Sequence, residues 1–376
     1  MIKPKVVTIV GTRPELIRLS RVIPHLDKVA EHTLIHTGQN SDPQLSDVFF
    51  RDLEIRKPDY FLGIDTATLA SSLGETLIKV EPIFNHLKPD GVLILGDTNS
   101  SIAALLAKRM QITVYHLEAG NRSFDQNVPE EINRKLVDHV ADFNLAYTEH
   151  ARRNLLSEGI PSRNILVTGS PIKEIYNYYQ SQIENSKVLE KLNLKPKGYF
   201  LVSAHRQENV DSPNRLNNLL ETLKAVHDKW QLPILVSTHP RTKKNLEKLT
   251  SNSKIEGTEF HEPFGFLDFN KLQLNAFCVL SDSGTVSEES LILGFPAVTI
   301  RDSMERPEAL DSGGIIMTGL HASDVIIGIE ETVANSIPQI KLPSEYLVED
   351  FSRRTVRFIM STIFKAKEWF GIRPLT

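Results

Sequence analysis

The segment from His116 to Arg134, HLEAGNRSFDQNVPEEINR, closes the apolar run ITVYHL and sets Glu118, Asp125, Glu130 and Glu131 among Arg122 and Arg134. Packing explains such a loop poorly. Carboxylates beside cations at a strand end are the parts of a general acid and base that also meets an anionic substrate. The competing reading of the same residues is a solvated loop of surface ion pairs, which contribute little.

Other apolar runs end in polar groups of the same kind. The first, KVVTIV, leads to Gly11-Thr12-Arg13-Pro14-Glu15. Thr12 and Glu15 fit a capping box and Pro14 a first helical turn. Capping leaves Arg13 unexplained, and an arginine at a helix N-terminus suits a phosphate. GVLIL leads to Gly96-Asp97-Thr98-Asn99, where Asp97 reads equally as a helix cap or an acid. YFLVS leads to Ala204-His205-Arg206, and PILVS to Thr238-His239-Pro240-Arg241. A lone histidine is more often structural, but two His/Arg pairs ending neighbouring strands point toward a site. Leu280–Glu289 reads LSDSGTVSEE: a strand, a Ser283-Gly284-Thr285 turn, then a helix that Thr285 and Glu288 could cap. Free N–H groups at that turn would cradle a diphosphate. Glu289 is then either a ribose ligand or an ordinary first-turn glutamate. After PAVTI comes RDSMERPE, in which Arg306 is a second candidate phosphate clamp. No P-loop and no G-x-G-x-x-G follows a strand, and no spacing resembles a transition-metal site, so neither a metal nor a nicotinamide cofactor is expected.

The elements that must position these groups follow from hydrophobic patterning. Lys5–Val10, Thr33–His36, Gly91–Leu95, Thr113–His116 and Phe143–Ala146 read as buried strands, with helical stretches such as Ile17–Leu26, Thr68–His86, Ser101–Met110 and Glu131–Val140 between them. Alternation restarts with Tyr199–Ser203, Pro233–Ser237, Ala276–Ser281 and Ala297–Ile300. The polar helical stretch Ile172–Leu194 separates the two series. Alternating strands and helices imply parallel sheets covered on both faces, with ligands outside the carboxyl ends of the strands. The expected fold class is therefore α/β, with two doubly wound Rossmann-like domains facing each other: an N-terminal domain over 1–170, a linker over 171–195 and a C-terminal domain over 196–350. The basic amphipathic tail over 351–376 is a last packing element.

A chain of 376 residues is long enough for two cores. Its net charge of −4, with both signs interspersed, argues against nucleic-acid or membrane-surface partners. The start MIKPKVVTIVG lacks the pattern of a signal peptide, and no apolar run nears the roughly 18 residues of a membrane span. The single cysteine, Cys278, reads as a small buried hydrophobe. A soluble cytoplasmic protein is expected.

Taken in order, GTRPE, GDTN, HLEAGNR, PEEINR, AHRQE, DSGTVSEE and ERPE resemble the non-hydrolysing UDP-N-acetylglucosamine 2-epimerase family over nearly the whole chain. The resemblance implies a GT-B-like pair of domains across a cleft, UDP bound mainly by the second, and a final helix crossing back to the first. It implies Asp97, Glu118 and Glu130 as catalytic carboxylates and His205 as the essential histidine. Arg13 falls on a phosphate arginine, Ser283, Gly284 and Thr285 on the diphosphate turn, Glu289 on the ribose glutamate and Arg306 on the other phosphate arginine. Phe269 falls where an aromatic meets uracil, and His239 is carried as a further substrate contact. A homodimer is implied.

There are departures. Arg18 replaces a lysine usual in the first helix, which keeps the charge but alters geometry, and it is also expected to bind substrate. Thr285 replaces a glycine, Phe264 stands where some members have glutamine, and NRSFDQNVPEE replaces the common LRTG form. With STHPRT and PFGFLDFN, these changes resemble the branch converting UDP-2-acetamido-2,6-dideoxy-L-talose to UDP-N-acetyl-L-fucosamine for bacterial capsule or O-antigen. The family's chemistry is elimination of UDP to a 2-acetamidoglycal, followed by readdition with C2 reprotonated on the opposite face. The alternatives are a UDP-N-acetylglucosamine 2-epimerase, a hydrolysing epimerase, a GT-B glycosyltransferase and a non-catalytic UDP-sugar sensor.

Overall fold

Runs such as VVTIV and GVLIL are buried along their whole length, so each must be covered on both faces, and strands of this kind pair in parallel with helices above and below. The computed structural model describes residues 3–39, 50–204, 206–238, 242, 245, 255–334 and 341–373, the side chains of Gln207 and Glu208 excepted. The chain divides into two compact units, Met1–Asn177 with Leu347–Thr376, and Tyr178–Tyr346.

The first unit carries β1 (Lys5–Val10), β2 (Glu31–His36), β3 (Tyr60–Phe61), β4 (Gly91–Leu95), β5 (Thr113–Leu117), β6 (Phe143–Ala146) and β7 (Ile165–Val167). They form one parallel sheet in the order β3-β2-β1-β4-β5-β6-β7. The second unit carries β8 (Phe200–Ser203), β9 (Ile234–Ser237), β10 (Thr258–His261), β11 (Cys278–Ser281), β12 (Ala297–Thr299) and β13 (Ile316–Met317), in the order β10-β9-β8-β11-β12-β13. Both sheets are doubly wound. The winding reverses between β1 and β4 in one and between β8 and β11 in the other, and crevices at such points receive ligands. Register puts the polar residues level. Leu95 of β4 pairs with Leu117 of β5, and Ser203 of β8 pairs with Ser281 of β11, so the loops that follow leave from one edge of each sheet.

Several elements differ from the expectation. Ile17–Leu26 is not one helix but the junction of Arg13–Leu19 and Val22–Val29. Pro24 has no N–H to return to Ser20, so a continuous ladder is impossible there. The helix after β4 begins as a 3₁₀ turn, Asn99–Ile102, before Ala103–Arg109. The stretch 171–195 holds two helices, Ile172–Glu184 and Val188–Lys191, and the boundary between the units falls inside the first. The tail is two helices, Phe351–Thr362 and Ala366–Trp369, packed in the first unit. There the Tyr115 hydroxyl meets Thr362 Oγ1 at 2.8 Å, and Phe143 meets the edge of Phe358. The short strands β3, β10 and β13 carry too few apolar residues to be legible in the sequence. Among the described residues no helix is long and apolar enough to cross a membrane.

His36 ends β2 stacked on Phe61, with ring centroids 5.2 Å apart, and its Nδ1 accepts the Gly38 N–H at 3.0 Å. Burial pushes its pKa down to about 4 from the 6.5 of an exposed imidazole. Between those values the unfolded chain binds the proton and the folded chain does not, so this contribution to stability is complete above pH 6.5 and is lost as pH falls through 4. His36→Asn keeps an acceptor for Gly38 but does not titrate. Urea midpoints of the wild type should therefore fall more steeply than those of the variant over this window, and parallel curves would refute the assignment.

Candidate active site

In the first unit, the loops after β1, β4 and β5 and the helix Pro129–Val140 meet at the carboxyl edge of the sheet. Arg13 is the first residue of its helix and is half-buried. The Glu15 carboxylate turns back to accept the N–H groups of Gly11 (2.8 Å) and Thr12 (2.7 Å) and the Thr12 hydroxyl (2.9 Å). Its other oxygen accepts the Thr98 hydroxyl at 2.9 Å. Glu15 is thus more than a cap, because it ties the loop carrying Arg13 to the loop carrying Asp97. Burial raises its pKa, opposed by these hydrogen bonds. Gly11 is required beside it, since a Cβ there would lie 2.0 Å from Ser100 Oγ.

Asp97 pairs with Arg134 Nη2 at 2.7 Å, and its carbonyl accepts the Asn133 side chain at 2.9 Å. Glu118, buried, pairs with Arg18 and accepts the Asn121 amide at 3.4 Å. Its backbone is left-handed, with φ of 64°. A non-glycine residue held there stores strain that concentrates at functional sites. Glu118 Oε2 stands 3.9 Å from where a Cβ would sit on Gly96, so the two carboxylate loops adjoin. Glu130 occupies the first turn of Pro129–Val140, half-buried, where the helix dipole favours its charge. Asn133 and Arg134 bind that helix to Asp97, which brings Asp97, Glu118 and Glu130 to one edge.

Two neighbours are structural instead. Glu131 accepts the Ser123 N–H (2.9 Å) and Arg134 Nη1 (2.9 Å); burial raises its pKa, but these contacts outweigh it and leave the carboxyl below its ordinary range. Arg122, which the sequence placed among cations for an anion, faces inward. It forks onto Glu158 at 2.8 and 2.6 Å and pairs with Asp138 at 2.7 Å, because a buried guanidinium must be neutralised where it lies. The sequence did not single out Arg134 as a site residue. Its signal was the one it shared with Arg122, a cation in the carboxylate-rich segment, together with the i, i+3 spacing from Glu131.

In the second unit the turn after β11 is the centre. Ser283 Oγ and Thr285 Oγ1 share a hydrogen bond of 3.0 Å, and Arg306 donates to the Gly284 carbonyl. A Cβ at Gly284 would lie 2.0 Å from Glu305 Oε1, so a side chain there would displace the Glu305 carboxylate from its arginines. Glu305 accepts from Arg301 (2.6 Å), after β12, and from Arg206 (3.1 Å), after β8. It joins the ends of β8 and β12, a role that the ERPE motif in the sequence did not reveal. Thr285 makes no side-chain cap, since its φ of −92° and ψ of −16° are already helical. Glu288 is likewise no capping partner. It is buried 3.6 Å from Arg306. Glu289 accepts the Gln273 amide at 2.9 Å, and Phe269, one turn before Gln273, lies on the same face of Phe266–Asn275. His205 and His239 lie outside the described residues.

Two parallel α/β units with charged residues at the strand ends beside each point of reversed winding define a class of ligand-binding α/β proteins, and comparison with known proteins makes the class specific. The family model for UDP-N-acetylglucosamine 2-epimerase matches residues 25–360, so the chain belongs to this family of isomerases. The UDP-N-acetylglucosamine 2-epimerase of Methanocaldococcus jannaschii is 40% identical over 87% of the chain and 91% of that protein. The solved UDP-N-acetylglucosamine 2-epimerase of Rickettsia bellii is 43% identical, with a TM-score of 0.91 over 98% of this chain and 100% of that one. The Methanocaldococcus jannaschii enzyme solved with UDP-GlcNAc and UDP is 37% identical, with a TM-score of 0.89 over 95% and 99%.

Glu15→Ala would leave two loop N–H groups without an acceptor, at about 1–3 kcal/mol each. A loss of about 2–4 kcal/mol in urea unfolding is expected, and a loss below about 1 kcal/mol would show that the two loops hold together without it.

Proposed function

We propose that this chain inverts C2 of a UDP-2-acetamido sugar by eliminating UDP to a 2-acetamidoglycal and adding it back. The observation that carries this reading is the set of carboxylates at the ends of β4 and β5, where Asp97 is held by Arg134 and Glu118 by Arg18. A C2 proton that is not α to a carbonyl leaves only if a base takes it while the diphosphate departs. Return on the opposite face then requires a second acid. Asp97, Glu118 and Glu130 are the groups for these transfers, with Arg134 orienting Asp97 and Arg18 orienting Glu118. The departing diphosphate develops negative charge, for which Arg13, Arg306, the N–H groups of Ser283–Thr285 and His205 are the stabilisers. Glu289 and Phe269 are the ribose and uracil contacts, with Arg18 and His239 further substrate contacts. No cofactor enters this chemistry.

For the particular sugar we propose UDP-2-acetamido-2,6-dideoxy-L-talose, converted to UDP-N-acetyl-L-fucosamine for capsule or O-antigen in the cytoplasm. The acidic loop NRSFDQNVPEE and the segments STHPRT and PFGFLDFN support this choice. UDP-N-acetylglucosamine is the second reading, favoured by the names of the relatives above. The enzyme is further proposed to be a homodimer. Exposed Ile78 on Leu69–Leu87 and Ile132 on Pro129–Val140 support it, and light scattering near 85 kDa, about twice 42.4 kDa, would bear it out.

Proton NMR in D₂O with each sugar nucleotide tests the reaction. Deuterium should enter C2 of a new UDP-sugar formed from the talose substrate. Exchange with UDP-N-acetylglucosamine alone would keep the chemistry and change the substrate. Release of free UDP and sugar would indicate a hydrolysing enzyme, and binding without exchange a transferase or sensor. Glu118→Gln and Asp97→Asn should each lose about 10²-fold or more in exchange with UDP affinity within about threefold. A variant exchanging at the wild-type rate would remove its residue from the mechanism.

A further inference from the structure

We propose that the buried pair His116–Asp138 is a positioning device that aims the two strand-end carboxylates, an inference that rests on the acid/base reading of Asp97 and Glu118 above. His116 lies on β5, fully buried, flanked in register by Ile94 and Asn144. Its Nε2 is 2.8 Å from the Gly96 carbonyl, and since a carbonyl can only accept, Nε2 carries hydrogen and donates. That carbonyl belongs to the peptide linking Gly96 to Asp97. The Gly96 N–H donates to the Leu117 carbonyl at 2.9 Å, so β5 holds both backbone polar groups of the residue that aims Asp97. Gly96 has a φ of 68°, a conformation that leaves this orientation to be fixed from outside.

The other ring nitrogen, Nδ1, meets Asp138 Oδ1 at 2.8 Å. The same carboxylate accepts the Gly120 N–H (3.1 Å to Oδ2) and pairs with Arg122 at 2.7 Å. Gly120 closes the turn that Glu118 opens, and both have left-handed backbones. A Cβ at Gly120 would lie 2.3 Å from the Ala151 carbonyl, so the turn has no room to shift that way. One imidazole–carboxylate pair thus grips the loop of Asp97 on one side and the turn of Glu118 on the other. Asp138 stands on the helix that presents Glu130, and Glu130, Arg134 and Asp138 follow one another at intervals of four, on one face. The three acid/base groups are therefore referred to a single helix face. His116 and Asp138 have no exposed surface in this unit, so water is poorly placed to replace either contact, and losing one leaves a buried acceptor unpaired.

A positioning role predicts a change in turnover with little change in binding. His116→Leu removes the donor to Gly96, His116→Gln offers an amide N–H in its place, and Asp138→Asn removes the charge. With folding checked by thermal melts, His116→Leu should lower kcat for C2 exchange about 10²-fold, with KM and UDP affinity within about threefold. His116→Gln should recover about tenfold of that loss, and Asp138→Asn should lower kcat about tenfold or more. The proposal is overturned if kcat stays within about twofold of wild type in folded His116→Leu, if KM moves in place of kcat, or if the Gln and Leu variants are equally impaired. Should His116→Leu fail to fold, Asp138→Asn decides, and an unchanged kcat there overturns it. Wild-type protein run alongside separates the two levels. Exchange by wild type with unimpaired variants removes only this inference, whereas a silent wild type removes the acid/base reading beneath it.

Discussion

A carboxylate taken out of water must be met by donors or cations from whatever surrounds it, and at the strand ends of the first unit this requirement organises everything nearby. Glu15 is met by two loops, Glu118 by Arg18, Asp97 by Arg134, and Asp138 by His116, Gly120 and Arg122. None of these partners is a sequence neighbour of its carboxylate in the ordinary helical or turn sense, apart from the cap at Glu15. Each contact therefore fixes one element against another.

The second unit solves the same problem with a different composition. Its turn after β11 carries small side chains and a glycine, and the charge lies beneath it. Glu305 between Arg301 and Arg206 ties the ends of β8 and β12 together, while Arg306 grips the Gly284 carbonyl. At its strand ends the first unit holds arginine-paired carboxylates, and the second holds a small-residue turn backed by arginines. Each rests on a sheet whose winding reverses beneath the site.

The legible part of the fold was its strong periodic signal. β1, β4, β6 and most of β2, β5, β8, β9, β11 and β12 lay in continuous apolar runs bounded by glycine or polar residues. Strand ends were visible too, so Arg13, Asp97, Glu118 and Ser283–Thr285 could be named from position alone, before any resemblance was invoked. The edge strands β3, β10 and β13 were not, since two to four half-exposed residues carry no period. The break near Ser20 has its signal in Pro24, which the longer apolar pattern across 17–26 masks.

By itself, then, the sequence determined the doubly wound architecture, the family and the residue types at each strand end, because burial pattern and local turn chemistry are written within a few residues. Only the tertiary structure decided which partner each charge takes. Arg122 and Arg134 look alike in the sequence, twelve positions apart in one polar segment. One is spent inside on Asp138 and Glu158, and the other reaches Asp97. Thr285 and Glu288 likewise read as a cap until Arg306 and the helical backbone claimed them otherwise. The physical reason is that the partner of a buried charge is set by what folds against it, and those elements come from residues far along the chain.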